Sequence, residues 1–331
     1  PRRKSPPPHP PRILFTMSAH PEKLGAARIA SHLGVMAIVS VVMGLLAGGL
    51  AIPFAIATGM TARSAEKAMA NLPKELEAQP LRQASRMLDA KGKVMATFYD
   101  ENRVNVTYEQ IAPVMRDAIV AVEDYRFFEH GAIDLKGTLR ALVINQASGG
   151  KVVQGGSSIT QQMAKMTLLA QANTKAERAA ATADTYARKI TELRHALAFE
   201  QNHSKKWILT RYLNIAFFGD QSYGIQAAAQ HYFSRDAKDL NVRQAAMLAG
   251  LVKNPNQYNP VANKKAALSR RNVVLDQMAK YGYLSGAEAN RIKALPLGLK
   301  IKPNQNGCIS SPYSFFCDYV YQYLMADPAL G

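Results

Sequence analysis

From Ile29 to Thr61 the chain carries no Asp, Glu, Lys or Arg, and Val, Leu, Ile, Ala and Met dominate the run. A stretch this long and apolar predicts a helix crossing a bilayer, even with Gly44, Gly48, Gly49 and Pro53 inside it. A cleaved signal peptide is the competing reading, but the run is too long and too far from the N-terminus to suit one. The tail ahead of it holds Arg2, Arg3, Lys4, Arg12, Lys23 and Arg28 against the single acid Glu22. The positive-inside rule then puts that tail in the cytoplasm and everything after the helix outside. Pro6 to Pro11 reads as a disordered tether.

This topology changes the meaning of the formal net charge of +17. Such a charge invites a nucleic-acid partner, but the outward topology and the lack of a matching motif exclude that reading. The charge instead suits a membrane surface or an anionic, membrane-borne substrate. The two cysteines, Cys308 and Cys317, fall on the outer side, where an oxidising location makes them a disulfide candidate. No Cys/His cluster has zinc-like spacing.

Residues 62–80 read as a polar stalk. Met87 to Ala96 reads as two short strands joined by a turn at Asp89 to Gly92. From Tyr108 to about Leu251 apolar residues recur at helical spacing. Asn254 to Pro260 is a loop, and a helix carrying Val273, Val274, Leu275 and Met278 follows. Beyond Lys300 the composition is loop-like.

Four segments could carry chemistry. The first is Glu123-Asp124-Tyr125-Arg126-Phe127-Phe128-Glu129-His130-Gly131, where an apolar helix (Val114, Ala118, Ile119, Val122) runs out into a turn. A carboxylate there is costly to bury, and partial desolvation raises its pKa towards that of a general base. A simple helix-terminal charge is the plainer reading. The second is Gln154 to Lys165, where Ser158 and Gln161 have capping-box spacing and predict a helix starting at Ile159. Two glycines ahead of a helix N-terminus make an anion site, and Lys165 lies one turn past Gln161. An ordinary cap with a solvated lysine would look the same. The third is Arg188-Lys189-Ile190-Thr191-Glu192, two cations and a carboxylate on one turn, or else a surface i,i+4 pair. The fourth, Trp207 to Asn214 with Phe217-Phe218-Gly219 and Tyr223 to Ala229, reads as core packing with tight turns.

In their order and spacing these segments resemble the glycosyltransferase domain of class A penicillin-binding proteins and monofunctional peptidoglycan glycosyltransferases. That family's pattern runs Glu-Asp-x-x-Phe-x-x-His-x-Gly, Gly-x-Ser-x-x-Thr-Gln-Gln, Arg-Lys-x-x-Glu and a Tyr-Leu-Asn segment; a fifth block corresponds to Arg243 to Leu251. The resemblance covers about residues 85–285 and includes no transpeptidase domain. It implies a mainly α-helical fold, a lysozyme-like lobe with a smaller membrane-facing jaw, preceded by one transmembrane helix. Leu139 to Val153 is a candidate for part of the jaw. The implied layout is a cytoplasmic tail (1–28), the membrane helix (29–61), a stalk (62–84), the glycosyltransferase domain (85–300) and a linker (301–331) towards a transpeptidase domain.

The implied activity is polymerisation of lipid II into glycan strands with undecaprenyl pyrophosphate leaving, at the outer face of a bacterial plasma membrane. Partners would be lipid II, the growing glycan and other cell-wall synthesis, division or elongation proteins. By that resemblance Glu123 is the general base and Glu192 the second essential carboxylate, near the pyrophosphate and a candidate ligand for Mg2+ or Mn2+; no organic cofactor is implied. Ser157, Lys165, Arg188 and Lys189 would neutralise the pyrophosphate. Asp124, Gln161 and Gln162 would support the geometry, with Phe127 and His130 shaping the cleft.

The chain departs from the pattern at Ala132 for glycine, Ser158 for threonine, Met166 for asparagine and Thr210 for glutamate, the last removing one half of an ion pair. The link from Lys165 to Arg188 is long, and Arg178 is a guess for a further phosphate ligand. Ser64-Ala65-Glu66-Lys67 matches an acyl-transfer Ser-x-x-Lys spacing, but its companion motifs are missing. The alternatives are a membrane-anchored muramidase or lytic enzyme, which has no use for the phosphate-directed cations, and a non-catalytic cell-wall scaffold.

Overall fold

The hairpin expected at Met87 to Ala96 forms as β1 (Ser85–Leu88) and β2 (Val94–Phe98), paired antiparallel with Ser85 opposite Phe98. Its turn is closed by Asp89, whose Oδ1 accepts from the backbone N–H of Lys91 and Lys93, both at 2.8 Å. Gly92 takes φ +77°, a conformation glycine adopts without strain. The computed structural model describes residues 31–41, 79–134 and 156–328. It divides into two units at Asn71 and Leu72.

In the first unit, residues 31–41 are helical and exposed. Among the described residues no helix is long and apolar enough to cross a membrane. The rest of the expected 29–61 span, the stalk up to residue 78 and the jaw candidate Leu139 to Val153 lie outside the described residues.

The second unit is mainly helical. After β3 (Asn102–Arg103) come α1 (Pro113–Glu123), α2 (Ile159–Gln171), α3 (Lys175–Thr182), α4 (Tyr186–Asn202) and α5 (Lys205–Ile215). Then β4 (Ser222–Tyr223) lies parallel to β3 and leads into α6 (Ile225–Phe233), α7 (Val242–Leu251), α8 (Lys264–Lys280) and α9 (Gly286–Lys293). A last helix, α10, spans Ser314–Ala326.

α1 buries Met115, Ala118, Ile119, Val120 and Ala121 and packs on α7 and α8, while α2 packs on α4 and α5. One core cluster joins these helices. Burial of apolar side chains there supplies the drive for the fold. The fifth sequence block is mostly small and apolar because it packs inside: Gln244 and Asn241 form a capping box at the start of α7, and Ala245 to Leu251 are buried. A Cβ on Gly250 would sit 3.0 Å from Arg270 Cγ, so a small residue there lets α7 and α8 close on each other.

The Tyr-Leu-Asn segment is a clamp as well as core. Leu213 is fully buried. Asn214 Oδ1 accepts from Val106 N–H at 3.1 Å, and its Nδ2 donates to Val106 O at 2.9 Å. Arg103 Nε donates to Asn214 O at 3.0 Å. Gly224 takes φ +79°, and a Cβ there would lie 2.7 Å from that same carbonyl oxygen. Only glycine fits the spot. Thr210, in the usual glutamate position, turns its hydroxyl back to Lys206 O at 2.8 Å, so no ion pair forms there.

The loop-like expectation beyond Lys300 fails at α10. Cys317, Tyr321 and Leu324 recur at helical spacing on one side of it. Cys317 is bonded to Cys308 with Cα atoms 5.5 Å apart, and Tyr321 stacks on Phe98 at 4.8 Å. The local disulfide is therefore present and, with that stack, fastens α10 to the hairpin.

Candidate active site

Glu123 is the last residue of α1, where the helix leaves the core. Its side chain is 14% exposed, and burial raises its pKa above the ordinary carboxylate value. The opposing influences are weaker. Gln162 Nε2 donates to Glu123 Oε2 at 3.0 Å. Arg270 Nη2 stands 3.9 Å from Oε1, and Lys253 contributes a positive potential. This is a carboxylate held with little compensation, as a general base requires.

Asp124 faces the other way and is structural glue. Its Oδ2 accepts from Ile159 N–H at 3.2 Å, at the start of α2, where the helix dipole favours a carboxylate. Its Oδ1 lies 2.8 Å from His130 Nε2, and His130 Nδ1 lies 2.6 Å from Gly131 O. Burial opposes a charge on His130, but these two acceptors outweigh it and raise its pKa above the usual imidazole value. The segment is stitched further by Ala132 O, which accepts from Ser158 Oγ at 2.9 Å and Gln161 Nε2 at 3.1 Å. The predicted helix start at Ile159 is right, and Ser158 caps it by accepting from Gln161 N–H. The capping box is only half made, because the Gln161 amide goes to Ala132. Serine keeps the hydroxyl these bonds need in place of threonine.

Phe127, expected to shape the cleft, is a core residue with no exposed surface. The Lys205 ammonium lies 4.4 Å from its ring centroid. Lys205 also pairs with Glu200 at 2.7 Å, and Glu200 accepts from Thr160 of α2.

The cationic station is built on the first turns of α4. Glu192 is 2% exposed and accepts from Arg188 Nη1 and, at 3.1 Å, from Lys189 Nζ. Lys189 Nζ also donates to Ser157 Oγ at 2.7 Å. Lys165 is half-buried on α2 and makes no ion pair among the described residues. Arg178 does not join the cluster: its Nε donates to Ala172 O at 3.3 Å, closing the end of α2.

Both oxygens of Glu192 are taken by these cations, so the pair does not fit a metal at that carboxylate. Among the described residues Asp124, His130 and Asp134 bring ligand-type atoms within 4.8 Å of one another. There too the partners are internal, with His130 on Asp124 and Arg126 on Asp134.

A family model described as "Transglycosylase" matches residues 91–279. The chain belongs to the transglycosylase family. Penicillin-binding protein 1F of Bacillus subtilis is 39% identical over 222 residues, covering 67% of this transglycosylase chain and 29% of the relative. Penicillin-binding protein 1A of Aquifex aeolicus is 38% identical over 252 residues, covering 76% of the chain and 32% of the relative. The transglycosylase chain thus spans about a third of the length of these curated relatives. A crystal structure of penicillin-binding protein 1A from Haemophilus influenzae aligns with 74% of this chain and 24% of that one, at 21% identity and a TM-score of 0.40.

Two neighbours of Glu123 had no signal in the sequence. Arg270 comes from α8 and Lys253 from just beyond α7, far along the chain. Tyr212 opens the Tyr-Leu-Asn segment, which reads from sequence as core packing. Its Oη nonetheless donates to Gln162 Oε1 at 3.1 Å.

Proposed function

We propose that this chain polymerises lipid II into peptidoglycan glycan strands by inverting glycosyl transfer, with undecaprenyl pyrophosphate as the leaving group. Glu123 takes the proton from the acceptor sugar hydroxyl as that oxygen attacks the donor's anomeric carbon. Attack opposite the leaving group inverts the carbon, as at other inverting carboxylate sites. Arg188, Lys189 and Ser157, with Lys165, receive the negative charge that builds on the departing pyrophosphate. Glu192 holds the two cations in place until the phosphates arrive.

The observation that carries this reading is the start of α2. Within five positions it bonds both stations: Ser157 accepts from Lys189, and Gln162 donates to Glu123. One rigid turn therefore joins a base with a raised pKa to an anion-directed cluster, the two ends that transfer from a pyrophosphate donor requires. Family membership and the named penicillin-binding relatives support the same chemistry. In this reading the helical unit is a lysozyme-like lobe, and a jaw including Leu139 to Val153 faces the membrane. The 29–61 helix anchors the domain on the outer face of the plasma membrane. Other cell-wall synthesis, division or elongation proteins are the proposed neighbours. No step is assigned to a metal.

The test is incubation with labelled lipid II and, separately, with preformed glycan. Polymer from lipid II with release of undecaprenyl pyrophosphate is expected. Cleavage of preformed glycan without polymerisation would replace this reading with a muramidase.

A further inference from the structure

Glu123 receives one hydrogen bond among the described residues, from Gln162 Nε2 at 3.0 Å. The other groups facing it are the Arg270 guanidinium from α8 at 3.9 Å, Lys253 beyond α7, and Asp124 on its own chain end. The two cations are not hydrogen-bonded to it, so the Gln162 amide decides what Glu123 meets. That amide has two orientations of nearly equal shape and opposite chemistry. With its NH2 towards Glu123 it favours the carboxylate. With its carbonyl towards Glu123 it favours the protonated acid, which cannot act as a base.

We propose that Tyr212 is a positioning residue for Glu123, its buried hydroxyl fixing the Gln162 amide in the orientation that keeps Glu123 a carboxylate. Tyr212 has no exposed surface, and its O–H donates to Gln162 Oε1 at 3.1 Å, with no other acceptor among the described residues. If the amide flipped, the NH2 could donate to the phenol oxygen, but the buried phenol proton would then lack a partner. Leaving a buried donor unsatisfied carries a free-energy cost, so the hydroxyl biases the amide towards one orientation. Burial, with the nearby Glu123 and Asp124 charges, raises the Tyr212 pKa well above the ordinary phenol value, so it stays a donor at every working pH. The role deepens the proposed function and rests on Glu123 being the base.

The measurement is the pH dependence of kcat/KM for lipid II polymerisation by the full chain, comparing wild type, Tyr212→Phe, Gln162→Met and the double variant. The rate should fall on the acid side as Glu123 takes up a proton. Tyr212→Phe should move that limb upward by about half to one pH unit, the equivalent of one net hydrogen bond, with KM little changed. Above the limb the rate should return towards wild type. Gln162→Met should move the limb the same way, and Tyr212→Phe should add nothing in that background. A uniform rate loss at every pH, an unmoved limb, or two shifts that add would overturn the proposal. Should Tyr212→Phe fail to fold by circular dichroism, an unmoved limb in Gln162→Met overturns it alone. Glu123→Gln is the separate control: wild-type polymerisation by that variant would sink the base assignment itself.

Discussion

Two glutamates are buried in this site, and they are held in opposite ways. Among the described residues Glu123 has one amide donor and a guanidinium 3.9 Å off, and its pKa is raised by burial. Glu192 is more deeply buried, but an arginine and a lysine contact it directly. The contrast follows from position. Glu123 ends an apolar helix, where the nearest cations come from distant elements. Glu192 sits one turn after Arg188 and Lys189 on the same helix, so the sequence itself delivers its partners. A carboxylate left short of partners is poised for proton transfer. One saturated by cations is a counter-ion, and what it prepares is the cations.

The largest expected effect breaks the first half of this contrast. Glu123→Gln removes the base and should slow polymerisation of labelled lipid II by about 10²–10⁴-fold, read as product per unit time on gels. Glu192→Gln should follow. It leaves Arg188 with only the exposed Asp184 carboxylate at 3.9 Å, and we expect a loss of about 2 kcal/mol in denaturant-melting stability, discounted because Lys189 is half-exposed. Lys189→Met acts on the cation itself. It should weaken inhibition by inorganic pyrophosphate about 3–10-fold, with less change at high salt, the scale of one partly exposed charge–charge contact.

The smallest effect concerns the stitching between the stations. His130 has a raised pKa in the folded state. Its contribution to stability is therefore fully present below the ordinary imidazole pKa of about 6.5 and is lost as pH rises through the raised value. The melting-temperature gap between wild type and His130→Asn should shrink across that window. A gap constant with pH would show that the ring acts by shape alone.

What the sequence made legible was whatever its own neighbours enforce. The hairpin turn at Asp89 to Gly92, the helix start at Ile159 and the Arg188-Lys189-Glu192 turn are all set within four residues, and all three form. The misses share another cause. Arg270 reaches Glu123, and Tyr212 reaches Gln162, only because α8 and α5 pack beside α1 and α2; nothing local marks Arg270, and the Tyr-Leu-Asn segment marks Tyr212 as core, not as a support of the base. Phe127, the aromatic of the first motif, packs in the core, and the sequence alone does not separate an aromatic that lines a cleft from one the fold closes over. α10 was missed because its stripe of Cys317, Tyr321 and Leu324 is short and its opposite side keeps Phe315 exposed, which blurs the pattern. A disulfide and one aromatic stack hold a helix that periodicity scarcely announces.

Glu123 is kept for chemistry at the expense of stability. For a carboxylate with a raised folded pKa, stability falls as pH rises from the ordinary value towards the raised one. Thermal melting and lipid II polymerisation measured together on Glu123→Gln at neutral pH test this directly. The variant should melt higher than wild type and make almost no polymer. A variant that polymerises like wild type would contradict this, and so would one that loses activity because it melts lower.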